Sequence, residues 1–367
     1  MISYKGLDPV YKKIAEKVFA GERISVEDGL RLYESSDPGY LAVLANFVRE
    51  RKNGPYAYFN RNIHIEPTNI CILKCKFCSY YRNEGETGSW ELTEERIREI
   101  LLPYKEGDIT EVHVVSGIHP RWTISDYAGI LRIIKKLKPE VHIKAYTAVE
   151  LDFMFRKAHM SPEDGFAYLR EAGLDSIPGG GAEILHPEIR KQLCPEKISG
   201  DRWLAIHKVA HKLGIPSNAT ILYGHLEKYE HRVDHLNQLR NLQDETQGFN
   251  AFIPLKFRNS HNSYSYLKET SVNEDLKNYA VCRIFLDNIT HIKAYWPMIG
   301  KQTASISLAF GVDDLDGTID DSTKIYSLAG AEDKHPSMNT DEMKATIESA
   351  GRIAVERDSL YNILREF

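Results

Sequence analysis

The first 55 residues carry apolar positions at helical spacing. Asp8 caps a first helix through Val18, and Ser25-Val26-Glu27-Asp28 reads as a capping box before Gly29-Leu30-Arg31-Leu32-Tyr33. A third helix follows Pro38. From residue 61 the pattern changes to strand, helix, strand. Strand-like runs fall near 62–66, 111–116, 142–147, 174–178, 217–222, 250–256, 291–295 and 305–310. Helix-periodic stretches lie between most of them, at 93–104, 124–137, 161–172, 200–213, 229–245, 274–286 and 341–355. The strand runs are continuous rather than alternating, as in Val112-His113-Val114-Val115 and Ala219-Thr220-Ile221-Leu222. Buried parallel strands have that character.

Eight such units predict an α/β chain folded as a TIM-type (βα)8 parallel barrel, with an N-terminal helical cap and a C-terminal helix. A six-unit partial barrel with C-terminal additions is the rival. No linker or internal repeat interrupts the pattern. Residues 1–55 then form an extension packed on a barrel of residues 56–367, one domain overall.

The 367 residues are 42% hydrophobic and 27% charged, enough for a sizeable core, and carry a formal charge of −5. No basic block marks a nucleic-acid partner. No run approaches the ~18 apolar residues that span a membrane, and Met1-Ile2-Ser3-Tyr4-Lys5 lacks an apolar signal segment. Three of the five cysteines sit together in Cys71-Ile72-Leu73-Lys74-Cys75-Lys76-Phe77-Cys78, and Cys194 and Cys282 stand far away. Nothing suggests a disulfide framework, so a reducing cytoplasm is expected.

The C-x3-C-x2-C spacing directly follows the first strand. Three thiolates so close can each take one iron of a [4Fe–4S] cube, and a missing fourth leaves one iron open. Two alternatives compete. Positions i, i+4 and i+7 share a helix face, so the thiols can be buried apolar groups. They can also hold structural zinc with His64 as fourth ligand, although zinc knuckles usually come in separated pairs.

Barrel enzymes place their chemistry at the C-terminal ends of the strands, where this loop belongs. The other predicted strand ends supply candidates. Gly117, in Ser116-Gly117-Ile118-His119, and the triple glycine 179–181 allow backbone to approach a ligand, or simply turn the chain. Glu183 can accept from ribose hydroxyls or start the next helix as a solvated carboxylate. Tyr223 and His225, two apart, share a face if the chain stays extended there. Arg258 and Lys256 can bind a carboxylate, or snorkel; Lys293 is a weaker candidate. The polar stretch Asn259–Tyr264 is a lid or a surface loop.

The cysteine motif, with Phe77 before its last cysteine, resembles that of the radical S-adenosylmethionine superfamily. The resemblance extends from Pro9 to Leu364. His64-Ile65-Glu66-Pro67-Thr68-Asn69-Ile70-Cys71, Gly179-Gly180-Gly181-Ala182-Glu183-Ile184-Leu185, Cys194-Pro195-Glu196-Lys197 and Ser217–Glu227 look like the aminofutalosine synthases of the futalosine route to menaquinone, as do Phe252-Ile253-Pro254-Leu255 and His291–Trp296. Two sister families share much of this: dehypoxanthine futalosine cyclase and the tyrosine-using enzyme of deazaflavin cofactor synthesis. Cys194-Pro195-Glu196-Lys197 and Asn218-Ala219-Thr220 favour the synthase, while Ser79-Tyr80-Tyr81 departs from the pattern of the sisters.

The resemblance implies a radical addition. A 5′-deoxyadenosyl radical from S-adenosylmethionine, the co-substrate, adds to the enol ether of 3-[(1-carboxyvinyl)oxy]benzoate. The aryl group migrates, the carboxylate leaves and 6-amino-6-deoxyfutalosine forms. It implies Cys71, Cys75 and Cys78 as ligands of the cluster, and Phe77, Gly117, Glu183 and Arg202 around the co-substrate. His119, Arg258 and His225 are expected on the substrate carboxylates, with Tyr223 and His225 polarising or positioning the substrate. A flavodoxin- or ferredoxin-type electron donor is implied as partner. A non-catalytic iron–sulfur or zinc protein is the reading in a different class.

Overall fold

A computed structural model describes residues 8–35, 37–320 and 323–367. The segment Met1–Lys5 lies outside them. Three helices come first: α1 (Pro9–Ala20), α2 (Val26–Glu34) and α3 (Pro38–Asn53). Their starts are fixed locally. The Asp8 side chain accepts from Val10 N and Pro9 sets the first turn. Ser25 and Asp28 close the capping box.

Strand β1 (Tyr56–Ile65) then opens the barrel. It is followed by α4 (Glu94–Leu101), β2 (Glu111–Val114), α5 (Ile124–Leu137), β3 (His142–Ala145), α6 (Ala148–Lys157) and α7 (Pro162–Glu171). Next come α8 (Pro187–Leu193), α9 (Gly200–Lys212), β4 (Ser217–Tyr223), α10 (Tyr229–Thr246), β5 (Phe249–Lys256) and α11 (Val272–Phe285). After β6 (His291–Ala294) and the short α12 (Trp296–Ile299) and α13 (Lys301–Ser307) comes β7 (Asp314–Asp320). The chain ends with α14 (Ile325–Leu328), β8 (Ser337–Met338), α15 (Thr340–Ser349), β9 (Ile353–Arg357) and β10 (Ile363–Glu366).

Among the described residues seven regular strands, β1 to β7, form the barrel and pair in parallel, with β1 joined to β2 on one side and β7 on the other. The pairing runs β1–β2–β3 and β4–β5–β6–β7. Between β3 and β4, single bridges Lys144–Ser176 and Ile177–Ser217 stand in for a further strand and carry the ring around. The expected strand at 174–178 is thus present only as bridges. Below the start of β2, β9 pairs with Tyr56–Phe59 of β1, and β10 returns antiparallel to it. Helices α2 and α3 pack on α10 and α11, on the outer layer, and contribute no residue to the central cavity.

Two expectations fail at the C-terminal end. The apolar run at 305–310 ends α13 and turns, and the barrel strand is β7 with the sequence DLDGTID. The helix expected to 355 stops at Ser349, and the chain finishes in β9 and β10 rather than in a helix. Among the described residues no helix is long and apolar enough to cross a membrane.

The lower barrel interior is ionic rather than apolar. Lys144 meets Glu111 at 2.7 Å, Lys293 meets Asp316 at 2.9 Å and Arg357 meets Asp314 at 2.6 Å, all buried. Buried charges persist only when matched in this way.

Candidate active site

The chain between β1 and α4 forms a tethered loop, not a helix. Asn69 fixes its base: its amide donates to Gly88 O at 2.9 Å and its carbonyl accepts from Trp90 N at 2.9 Å. Lys76 N donates to Leu193 O at 3.1 Å, and Lys74 N to the Glu196 carboxylate at 2.6 Å. The helix-face alternative for the cysteines therefore does not hold.

Cys71, Cys75 and Cys78 line one cavity of about 260 Å³ at the C-terminal ends of the strands. Ile118 N points at Cys71 Sγ from 3.3 Å, and backbone N–H groups of Tyr80 and Tyr81 favour the Cys78 thiolate. Burial pushes all three thiols above their ordinary range, so a metal must displace their protons. Among the described residues no three His, Cys, Asp or Glu side chains converge on a single ion. A mononuclear zinc site with His64 would need that convergence. A cube is different, because each cysteine binds its own iron. Three thiols on one cavity wall, with N–H donors aimed at sulfur, fit a [4Fe–4S] cluster.

Gly117 ends the strand-2 side of this wall. Its N–H donates to Thr68 O at 2.8 Å, and a Cβ there would lie 2.4 Å from Ile70 O. Gly179, Gly180 and Gly181 also line the cavity. Gly179 is required by packing as well, since a Cβ would meet the Ala219 backbone at 2.7 Å. Glu183, in left-handed backbone (φ +48°), meets Lys197 Nζ at 2.5 Å, and that ammonium lies 5.2 Å from the Phe77 ring centre. Burial opposes the Lys197 charge, but Cys75, Glu183 and Cys194 outweigh it and hold the ammonium above its usual value.

The mouth is crossed by Thr323–Ala331. The buried Glu66 carboxylate accepts from Thr323 Oγ1 at 3.0 Å and Lys324 N at 3.1 Å, and Arg258 donates to Gly330 O at 2.7 Å. Burial raises Glu66 to about 7 despite these donors. The stretch Asn259–Tyr264 is docked rather than free. Ser263 N donates to Lys76 O at 2.9 Å, and Tyr264 Oη to Gln192 O at 2.8 Å.

Of the residues singled out from sequence, the cavity brings together Cys71, Cys75, Cys78, Phe77, Gly117, Glu183, Arg258 and Lys293. Lys256 also lines it, but its ammonium is tied to Thr270 O and Asp275, each at 2.8 Å. Four others lie elsewhere. Asn218, Thr220 and Leu222 of β4 face the cavity, so Tyr223 faces the helices, where its hydroxyl donates to Asp275 at 3.0 Å. Gly224 (φ +90°) then turns the chain, so His225 does not share a cavity face. His225 is held by Leu222 O at 2.9 Å and Glu227 at 3.0 Å. Arg202 is on the outer surface, paired to Asp152 at 2.7 Å. His119 is buried behind the loop, stacked on Trp122 at 4.9 Å and 3.4 Å from Glu91. Lys197, His113, Lys144, Tyr295 and Tyr326 line the cavity without having been singled out as site residues.

Glu227 secures the turn after β4. It accepts from Gly224 N (2.6 Å), His225 N (2.8 Å) and Arg232 Nε (2.9 Å). Burial works against the charge, but His225, Arg232 and the Gly224 N–H prevail and lower the acid from 4.5 to about 2. Its stabilisation is therefore complete above pH 4.5 and lost as pH falls towards 2. Urea unfolding of wild type and Glu227→Gln at stepped pH should show a gap on the order of 3 kcal/mol near neutrality. The gap should shrink below pH 4.5.

Residues 65–239 match the Radical SAM superfamily, and residues 246–366 match the CofH/MqnC C-terminal region. The chain is 43% identical to an aminodeoxyfutalosine synthase of Thermus thermophilus, over 98% of this chain and 97% of that one. It is 37% identical to a 5-amino-6-(D-ribitylamino)uracil–L-tyrosine 4-hydroxyphenyl transferase of Methanoculleus marisnigri, over 98% of this chain and 99% of the relative. Among solved structures, methylornithine synthase superposes with a TM-score of 0.74 at 17% identity, covering 92% of this chain and 96% of the other.

Proposed function

The chain belongs to the radical SAM superfamily, and on that premise we propose that it is an aminofutalosine synthase. It joins the 5′-deoxyadenosyl group of S-adenosylmethionine to the enol-ether carbon of 3-[(1-carboxyvinyl)oxy]benzoate, with aryl migration and loss of the carboxylate, giving 6-amino-6-deoxyfutalosine. The observation that carries this reading is the end-to-end 43% identity to the Thermus synthase; a second synthase and the tyrosine-using relative each stand at 37%.

A bound [4Fe–4S] cluster supplies the electron that breaks the sulfonium. The chain does the rest. Cys71, Cys75 and Cys78, which line the cavity, would each hold one iron and leave one without a protein ligand. Gly117 and Gly179–Gly181 line the cavity and are small because neighbouring protein atoms, Ile70 O and the Ala219 backbone among them, leave no room for a Cβ. Glu183, held by Lys197, accepts from the ribose hydroxyls of the co-substrate. Lys197 favours the thiolates of Cys75 and Cys78, and its ion-pair partner Glu183 acts on them in the opposite direction. Val115, Ile118, Val149, Leu222, Ile253 and Leu255 give the cavity an apolar wall that excludes water. Arg258, ion-paired to Glu269 at 3.1 Å, keeps its buried Nε for a substrate carboxylate. The electron donor is of flavodoxin or ferredoxin type, and a reducing cytoplasm suits the thiolates.

Product analysis tests this. The anaerobically reconstituted, reduced protein should consume S-adenosylmethionine and the enol ether and yield a product containing the adenosyl group. Free 5′-deoxyadenosine in step with turnover would instead indicate hydrogen abstraction and one of the sister enzymes.

A further inference from the structure

Two buried polar groups in the cavity lack a proper partner. His113, in the middle of β2, presents an Nε2 that is buried and makes no hydrogen bond. The Tyr295 hydroxyl, just past β6 and with Thr323 beside it, makes none of normal geometry although the residue is 5% exposed. Buried groups of this kind are rare and costly unless something else meets them. The charged groups beneath are already matched to one another: Lys144 with Glu111, and Lys293 with Asp316. They leave no ammonium free, yet they do not present a net negative floor either.

The two groups are linked by rings. His113 lies opposite His64 in the β1–β2 register, with ring centres 4.8 Å apart. His64 lies 6.4 Å from Tyr295, and Tyr295 lies 4.6 Å from Tyr326. The rings meet at 72°, 33° and 52°, so they form an aromatic wall rather than a slot, and the two idle groups open onto the same cavity, where an entering carboxylate has acceptor oxygens to offer them. A third buried and unpartnered donor is Arg258 Nε, after β5; the terminal nitrogens of the same guanidinium are held by Glu269 at 3.1 Å and Gly330 O at 2.7 Å, which leaves Nε as its idle donor in the cavity lining.

We propose that His113 and Tyr295 form the seat for the substrate's ring carboxylate, at the barrel floor. Arg258 meets the enol-ether carboxylate. This rests on the synthase reading for the identity of the ligand. It assigns each of the two carboxylates its own donors and makes His113 and Tyr295 positioning residues. Burial lowers His113 to about 3, so at neutral pH it donates as a neutral imidazole among Lys144, Glu111, Asp316 and His64.

The test is calorimetric titration of the reconstituted protein, S-adenosylmethionine present, with the enol ether and with its analogue lacking the ring carboxylate. Wild type should bind the dicarboxylate at least about tenfold more tightly, the usual worth of a hydrogen bond to a charged group. Tyr295→Phe and His113→Phe should lose most of that preference and bind the analogue as wild type does. Tyr295→Phe removes one oxygen only, so it decides the matter if His113→Phe fails to fold. His113→Asn, which keeps a donor, should recover part of the preference. Variants that discriminate as well as wild type, or a wild type with no preference, would overturn the seat. Loss of product with the binding preference intact would count against the reaction and leave the seat standing.

Discussion

Cys75→Ala, reconstituted anaerobically, is expected to hold far less iron than wild type and to cleave S-adenosylmethionine at least about a thousandfold more slowly. Cys75 is the most buried of the three loop cysteines, at 6% exposed, and it lines the cavity between the other two in sequence. A cube held by three thiolates has no spare anchor, and removing one leaves an iron with only sulfide and solvent. Cys194 lies close enough to influence Cys75 electrostatically, but it does not line the cavity and cannot replace the lost ligand without moving the loop. Cys282 provides the control. It is buried against Tyr33 at 3.9 Å, so Cys282→Ala should keep full iron and cleavage. Iron content, the visible absorption of the cluster and release of methionine measure the outcome. Full iron and normal cleavage in Cys75→Ala would refute the ligand assignment.

Whatever depended on local chemistry could be read from the chain. Helices with capped starts appear where expected: the stretch 124–137 is α5 over the same residues. The cysteine loop, Gly117 and Glu183 announced themselves by spacing and by following strand-like runs. The failures have a common cause, which is that partners distant in sequence decide them. DLDGTID does not look like a buried strand until Arg357 neutralises Asp314 and Lys293 neutralises Asp316. The apolar run at 305–310 has strand composition but follows Gly300 into helix packing. At the end of β4, Gly224 breaks the alternation on which the pairing of Tyr223 with His225 relied. Lys197 gains its place only when α8 and the following turn bring it against Phe77 and Glu183. His113 reads as one polar residue in an apolar strand, and only the folded cavity shows its nitrogen idle.

Gly117→Ala should be the most damaging change of a single methyl. Gly117 has no unusual backbone angle to protect, and the constraint is space alone. An added Cβ would sit 2.4 Å from Ile70 O and 2.8 Å from Ile70 C, both backbone atoms with no rotamer to yield. Either the end of β2 or the first turn of the cysteine loop must shift. That shift breaks the bonds that join them: Gly117 N to Thr68 O, Ile72 N to Ile118 O at 3.0 Å, and Ile118 N to Cys71 Sγ. Overpacking of this kind costs about 1–3 kcal/mol. Here the loss falls on the segment that sets the cysteine positions, so iron occupancy should fall along with thermal stability. Gly129→Ala is the matching control. Gly129 lies within α5, where an added Cβ would meet nothing within 4 Å, and alanine there should be neutral or stabilise by up to about 1 kcal/mol. Iron per chain and unfolding temperature should therefore separate the two variants. Equal iron and equal unfolding temperature in both would show that the contact between β2 and the loop yields more easily than its backbone atoms imply.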